Sequence, residues 1–280
     1  MLNSKLKPRK AIIMKKHILI LVALGIGTVC AAEPPDGFTA VFNGKDLSNW
    51  NGGEEWTVED GALTGVADGT LKANRFITWQ GEPLKNFELQ VMVRVSEKGN
   101  SGIQYRGTVR PDLGPYRVSG YQCDIVAKAP QYHGMLYEEK GRRILARHGK
   151  TVIIDTGGQP WITNANPVVK FEPDTWQQFR ILAEGNRLRH WIDGKLIVDV
   201  IDLDEKGRAL EGVLAVQVHV GPPMKIQYKD FYLKRLPDDL PIIRTETVTI
   251  PPEALQVKPQ GRLPKGWKPV TYAERDKLQE

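Results

Sequence analysis

The sequence predicts an all-β protein, a double-sheet sandwich or jelly roll. Three observations carry that prediction. Residues 87–95 alternate apolar and polar with period two: Phe87, Leu89, Val91, Val93 and Val95 interleave with Glu88, Gln90, Met92 and Arg94, the pattern of a strand with one buried face. Many short apolar runs are separated by turn residues, as 27 glycines and 19 prolines in 280 residues lead one to expect. No long amphipathic helical pattern alternates with them, which argues against a parallel α/β sheet.

Along the chain, strands are expected near residues 38–42, 56–58, 62–66, 76–79, 87–95, 101–105, 121–126 and 151–154. Residues 176–183 read as a further strand. Residues 188–193 and 195–200 form a hairpin about Asp193-Gly194, a dipeptide suited to a tight two-residue turn. Residues 212–220 and 225–236 give a last pair around Gly221-Pro222-Pro223. Three segments follow from composition: a leader over 1–32, a β body over 33–236 and a proline-rich extension over 237–280, expected to wrap the body as extended chain.

The leader reads as an export signal. Lys5, Lys7, Arg9, Lys10, Lys15 and Lys16 form a basic stretch, residues 18–29 are apolar and uncharged, and Cys30-Ala31-Ala32 is a small-residue cleavage site. The apolar run is short for a membrane span. Cys30 also admits a lipid anchor. The chain carries 39 basic and 33 acidic residues, net +6, and the six basic residues named above account for the excess. The remainder is balanced, which removes the main electrostatic support for a nucleic-acid partner. Without Cys30, Cys123 is alone and no intrachain disulfide is available.

Five stretches in order are similar to one known family, the 3-keto-disaccharide hydrolases, also described as 3-keto-glucoside lyase/hydratase domains. They are Phe42-Asn43-Gly44-Lys45-Asp46-Leu47-Ser48-Asn49-Trp50, the segment from Trp56 through Asp60-Gly61 to Gly65, Asn100-Ser101-Gly102-Ile103-Gln104-Tyr105-Arg106, Gly120-Tyr121-Gln122-Cys123-Asp124-Ile125, and the segment from Gly212 to His219 followed by residues 225–236. Cys123-Asp124 departs slightly from the family's strand pattern. The resemblance implies a concanavalin A-like jelly roll of two antiparallel sheets, and a carbohydrate substrate already oxidised to a ketone at the third sugar carbon.

Such a ketone acidifies the neighbouring C2–H bond. A base can remove that proton, a donor can hold the enolate, and the anomeric substituent is then expelled; water adds back to complete hydrolysis. Asp124 or His219 is the candidate base. Arg106 with Gln122 would hold the keto oxygen, and Glu138 or His133 would protonate the leaving group. Gln217, Tyr137 and Tyr105 are further candidates for binding the sugar. Gln122 and Asp124 are two apart on a strand and so share a face, as do Gln217 and His219. Tyr105 and Arg106 point opposite ways unless a bulge intervenes. His133, Tyr137 and Glu138 are expected on a loop at the sheet rim. No cofactor is required by any spacing. A divalent metal stays open, since Asp124, His133, Glu138 and His219 are suitable ligand types and Asp202, Asp204 and Glu205 form an acidic run. The competing reading is a non-catalytic carbohydrate-binding sandwich, which would show aromatic platforms with few convergent titrating groups.

Overall fold

A computed structural model describes residues 33–278; the expected leader and its Cys30 lie outside the described residues. The alternation of residues 87–95 becomes the strand Phe87–Val95, in which every odd residue is buried and every even one half-exposed. It lies between Gln177–Glu184 and Met224–Arg235, both antiparallel to it. Among the described residues this sheet has eleven strands, running from Leu255–Gln256 through Pro160–Ala165, Lys150–Ile154, Lys195–Asp202 and Arg187–Ile192 to that trio, and on to Ala62–Ala67 and Trp56–Glu59, with Thr39–Ala40 pairing with Met224–Arg235 off this path. The second sheet has seven, in the order Arg143–Ala146, Leu136–Glu139, Val118–Val126, Asn100–Val109, Val213–Val218, Arg75–Trp79 and Trp50–Asn51. Lys150–Ile154 and Lys195–Asp202 pair in parallel; the other strand pairs are antiparallel. This is the concanavalin-like jelly roll.

Apolar side chains of both inner faces fill the space between the sheets. Leu89, Val91, Phe179 and Ile181 from the first meet Ile103, Tyr121, Cys123 and Ile125 from the second, all at most 1% exposed. Burying each large side chain contributes about 1.5–3 kcal/mol, enough for the lone cysteine to serve as packing rather than as a staple. The hairpin turn is as expected: Asp193 and Gly194 both take positive φ, 47° and 73°, the primed-turn geometry that matches strand twist.

Two local features depart from the expectations. Residues 136–139 form the strand Leu136–Glu139 rather than a loop. Arg106 sits at a register shift between the paired strands Asn100–Val109 and Val118–Val126, with φ +49°. Such a bulge breaks the alternation, so Tyr105 and Arg106 are both buried.

The proline-rich stretch packs rather than trails. Leu255–Gln256 pairs with the edge strand Pro160–Ala165. Ile250 and Ala254 join Ile153, Trp161 and Leu203 in a second apolar cluster. Trp161 is 1% exposed, bonded to Asp155 Oδ2 at 2.7 Å and edge-on to Tyr272. Among the described residues no helix is long and apolar enough to cross a membrane.

Candidate active site

The outer face of the seven-stranded sheet is polar at its centre. Register places Gln104 opposite Gln122 and Gly102 opposite Asp124. Tyr121, Cys123 and Ile125 fill the core side of the same strand, so Gln122 and Asp124 project from the other. Gln104 Nε2 donates to Gln122 Oε1 at 3.1 Å, and Gln217 Nε2 donates to the same oxygen at 3.4 Å. Gln122 Nε2 then donates to Asp124 Oδ1 at 2.6 Å. The two outer glutamines thus fix the amide that holds the carboxylate. Gly102 makes room for this chain: a Cβ there would fall 2.3 Å from Gln122 Cδ.

These residues floor a cavity of about 610 Å³, within the range of about 300–1,000 Å³ usual for small-ligand sites. Gln122, Asp124, His219, Tyr137, Asn100 and Glu139 line it, with Arg117, Arg143, Lys72 and Lys140 around them. Asn100 Oδ1 is buried without a hydrogen-bond partner among the described residues, as are Gln104 Oε1 and Gln217 Oε1 beneath it.

Burial drives the electrostatics. Asp124 is pushed up to about 7, chiefly by desolvation and further by the nearby Glu139 charge; the Gln122 hydrogen bond opposes both. Tyr137 is pushed up to about 12 by burial, so its phenol stays a donor. Burial lowers His219 below its ordinary value, against the pull of the Val220 hydrogen bond and Glu139. Its Nδ1–H donates to the Val220 carbonyl. The neutral ring therefore carries its lone pair on Nε2.

The structure brings together Asp124, His219, Gln122 and Tyr137, with Gln217 beneath them as support. It does not bring Arg106, Tyr105, Glu138 or His133 to the cavity. Arg106 turns inward at its bulge and donates to the carbonyls of Lys85 at 2.8 Å, Gly185 at 2.7 Å and Ala209 at 3.3 Å, which ties loops together. Tyr105 donates its hydroxyl to His190 Nε2 at 2.8 Å inside the core. Glu138 lies opposite Tyr121, so it shares the inner face and binds Arg142 Nε at 2.9 Å. His133 donates from Nε2 to Gln177 Oε1 at 2.9 Å, accepts the Val126 N–H on Nδ1, and packs on Phe171 and Phe179. Burial holds it down to about 4.

Glu139 is the carboxylate that sequence reasoning missed. It pairs with Gly120 and is two residues from Tyr137 on one strand, so period-two logic would have found it had that segment been read as strand. Asn100, Arg117, Lys72 and Gln260 enter from strand ends, loops and the C-terminal stretch, where no periodicity announces them. Among the described residues no group of three His, Cys, Asp or Glu side chains is placed to hold a metal ion. Asp202 and Asp204, from the acidic run considered for a divalent metal, are bound to Arg142 instead, at 2.8 and 3.2 Å.

Fold and cavity together define a jelly-roll domain with a polar, carboxylate-bearing pocket on one sheet face. Residues 37–234 match the family model described as the 3-keto-alpha-glucoside-1,2-lyase-like domain, and the chain belongs to that family. A 3-keto-disaccharide hydrolase of Bacteroides thetaiotaomicron is 35% identical over 82 residues, which cover 25% of this chain and 27% of that protein. A crystal structure from Parabacteroides distasonis, assigned as a glycosyl hydrolase, matches with a TM-score of 0.50 and 20% identity, covering 71% of this chain and 99% of that one; this likeness speaks to fold alone.

Proposed function

We propose that this protein cleaves 3-keto-glycosides by elimination followed by hydration, with Asp124 as the base. The observation that carries this reading is a buried carboxylate, held at about 7 and oriented by one amide, on the floor of a cavity of sugar size. A base works best when its pKa lies near the working pH, and an ordinary surface aspartate is too weak.

Asp124 takes the proton from C2, and the C–H electron pair moves toward the ketone oxygen. The Tyr137 phenol, kept protonated by burial, donates to the developing enolate oxygen. The enolate reforms the ketone by placing a double bond between C1 and C2 and expelling the anomeric oxygen. Glu139, the second carboxyl of the cavity, donates a proton to that leaving oxygen. In the second half, neutral His219 uses Nε2 to take a proton from water as it adds to C1 and passes that proton to Glu139, which restores both groups. Asp124 returns its proton to C2. The two carboxyls do not serve an oxocarbenium-like centre as in ordinary glycosidases.

Residues 1–32 act in this reading as a signal peptide, which places the enzyme outside the cytoplasm. Residues 33–236 form the catalytic domain and 237–280 its extension. The test is incubation of the purified protein with a 3-keto-disaccharide and with its unoxidised parent. Sugar release from the ketone alone is expected; equal turnover of both, or of neither, rejects the reading. Asp124→Asn, with its fold checked by circular dichroism, should slow the release by about 10²–10⁴-fold.

A further inference from the structure

The walls of the cavity carry a charge the elimination chemistry does not use. Four cationic side chains, Lys72, Arg117, Lys140 and Arg143, face two carboxylates, Asp124 and Glu139. Among the described residues none of the four cations forms an ion pair. Lys72, Lys140 and Arg143 are exposed, and Arg117 is half-buried; only the arginines are held in place by contacts with the protein. The two arginines are the discriminating pair.

Arg117 is half-buried, and its Nε is buried with no hydrogen-bond partner. Its Nη1 donates to the Asn74 carbonyl at 2.6 Å, which fixes the guanidinium against the wall. Burial and the like charge of Arg75 both act against its ionised form, while Glu139 favours it. Arg143 stacks on Tyr137 at 5.2 Å from the ring centroid, and its Nε donates to Gln260 Oε1 at 3.0 Å. That leaves its terminal nitrogens without a protein acceptor among the described residues. A guanidinium presents a fixed fork of donors suited to carboxylate, sulfate or phosphate oxygens. Arg117 keeps its fork partly buried beside Arg75 with one donor unpaired, a cost that an anionic visitor would offset, and exposed Arg143 adds terminal nitrogens with no protein acceptor among the described residues.

Resting on the reading that Asp124 works on a 3-keto-glycoside, we infer that the substrate's leaving group is anionic, its carboxylate or sulfate held by Arg117 and Arg143. The reacting ring lies on the amide floor around Gln122. Arg117 stands just before Val118–Val126 begins and Arg143 on the edge strand Arg143–Ala146, two strands away, beside the floor rather than in it. A neutral leaving group would gain nothing from them.

The test separates this inference from the cleavage chemistry. Unoxidised 4-carboxyphenyl and 4-carboxamidophenyl glucosides, which lack the ketone and should not turn over, are titrated into the full chain by calorimetry. The carboxylate is expected to bind about tenfold more tightly at low salt, with the advantage shrinking at 0.5 M salt. Arg117→Gln and Arg143→Gln should each bring the ratio toward one, and Arg143→Lys should keep part of it. Equal affinities, no binding of the carboxylate, or a ratio unmoved by both glutamine variants overturns the inference. The 3-keto forms of the same pair are assayed in parallel for phenol release. Release from neither rejects the cleavage reading, while the affinity ratio still decides the charge question.

Discussion

Tyr121 and Gln122 are consecutive, as are Tyr137 and Glu138, and each pair divides between two polar regions on opposite faces of one sheet. On the inner face Arg142 holds Glu138, Asp202 and Asp204 at 2.9, 2.8 and 3.2 Å, and Tyr121 donates to Asp202 Oδ2 at 2.6 Å. Burial works against the Arg142 charge, yet hydrogen bonds to Asp202 and Glu138 raise its pKa overall. On the outer face Asp124 has one amide for company and is pushed toward neutrality. Similar residue types thus do different work. Where every charge is partnered the cluster supports the fold; where a carboxylate is desolvated and underpaired its proton is held near neutral pH, as the proposed base requires.

The largest effects should come from Asp124. Removing a positioned base costs about 10²–10⁴ in rate, so Asp124→Asn should lower kcat by about that much. The wild-type rate should rise with pH through about 7 as the carboxyl ionises. The same group makes a stability prediction of the opposite sense from an ordinary aspartate. Its folded pKa of about 7 lies above the unfolded value near 3.8, so the folded state binds its proton more tightly. Its contribution is fully present below pH 4 and lost as pH rises toward 7, up to about 4 kcal/mol. Asp124→Asn should therefore be more stable than wild type at pH 8 and near-equal at pH 4, as urea unfolding at the two pH values would show. Loss of activity with loss of stability at pH 8 would mean that Asp124 belongs to the structural kind of cluster after all.

Arg142→Ala reverses that pattern. It leaves Glu138, Asp202 and Asp204 without their cation, and breaking such a network costs about 3–5 kcal/mol. Arg142 is partly exposed, so about 3 kcal/mol is expected in urea unfolding, with kcat per folded molecule unchanged. A selective fall in kcat without destabilisation would erase the distinction between the two faces.

The fold and half of this contrast were legible in the sequence. Alternation in residues 87–95 and the Asp193-Gly194 turn are local, so they survive translation into structure. Gln122 and Asp124 sit two apart on a regular strand, which made their shared face readable. Arg106 was not, because its bulge depends on the partner strand: Gly120 lies so close that a Cβ there would be 2.9 Å from Gly107 Cα. Glu138 was assigned to the site and Glu139 overlooked for one reason. The segment was read as loop, and a loop has no parity. The C-terminal stretch carries no strand period, so its contribution of Gln260 to the cavity could not be read at all.

Gly102→Ala tests the amide chain itself. The new methyl would displace Gln122, and misplacing a catalytic array by about 1 Å can cost up to ~100-fold in rate. A fall in kcat approaching that value is expected, along with a shift of the pH profile upward, because Asp124 loses the hydrogen bond that lowers its pKa. Unchanged kinetics in a folded variant would show that Gln122 does not orient the base.

The smallest effect falls on Gln260. Its Oε1 accepts from Arg143 Nε, and nothing else among the described residues hydrogen-bonds that guanidinium. Gln260 is exposed and comes from a segment beyond the matched residues 37–234, so Gln260→Ala should leave stability within about 0.5 kcal/mol. Losing one exposed hydrogen bond frees Arg143 to sample other rotamers, at about 0.5–1.5 kcal/mol. The expected result is a severalfold rise in KM for an anionic substrate with kcat unchanged, because Arg143 is inferred to stand at the leaving group rather than at the reacting carbon. A change in kcat with KM constant would place Gln260 and Arg143 at the chemistry instead of at its wall.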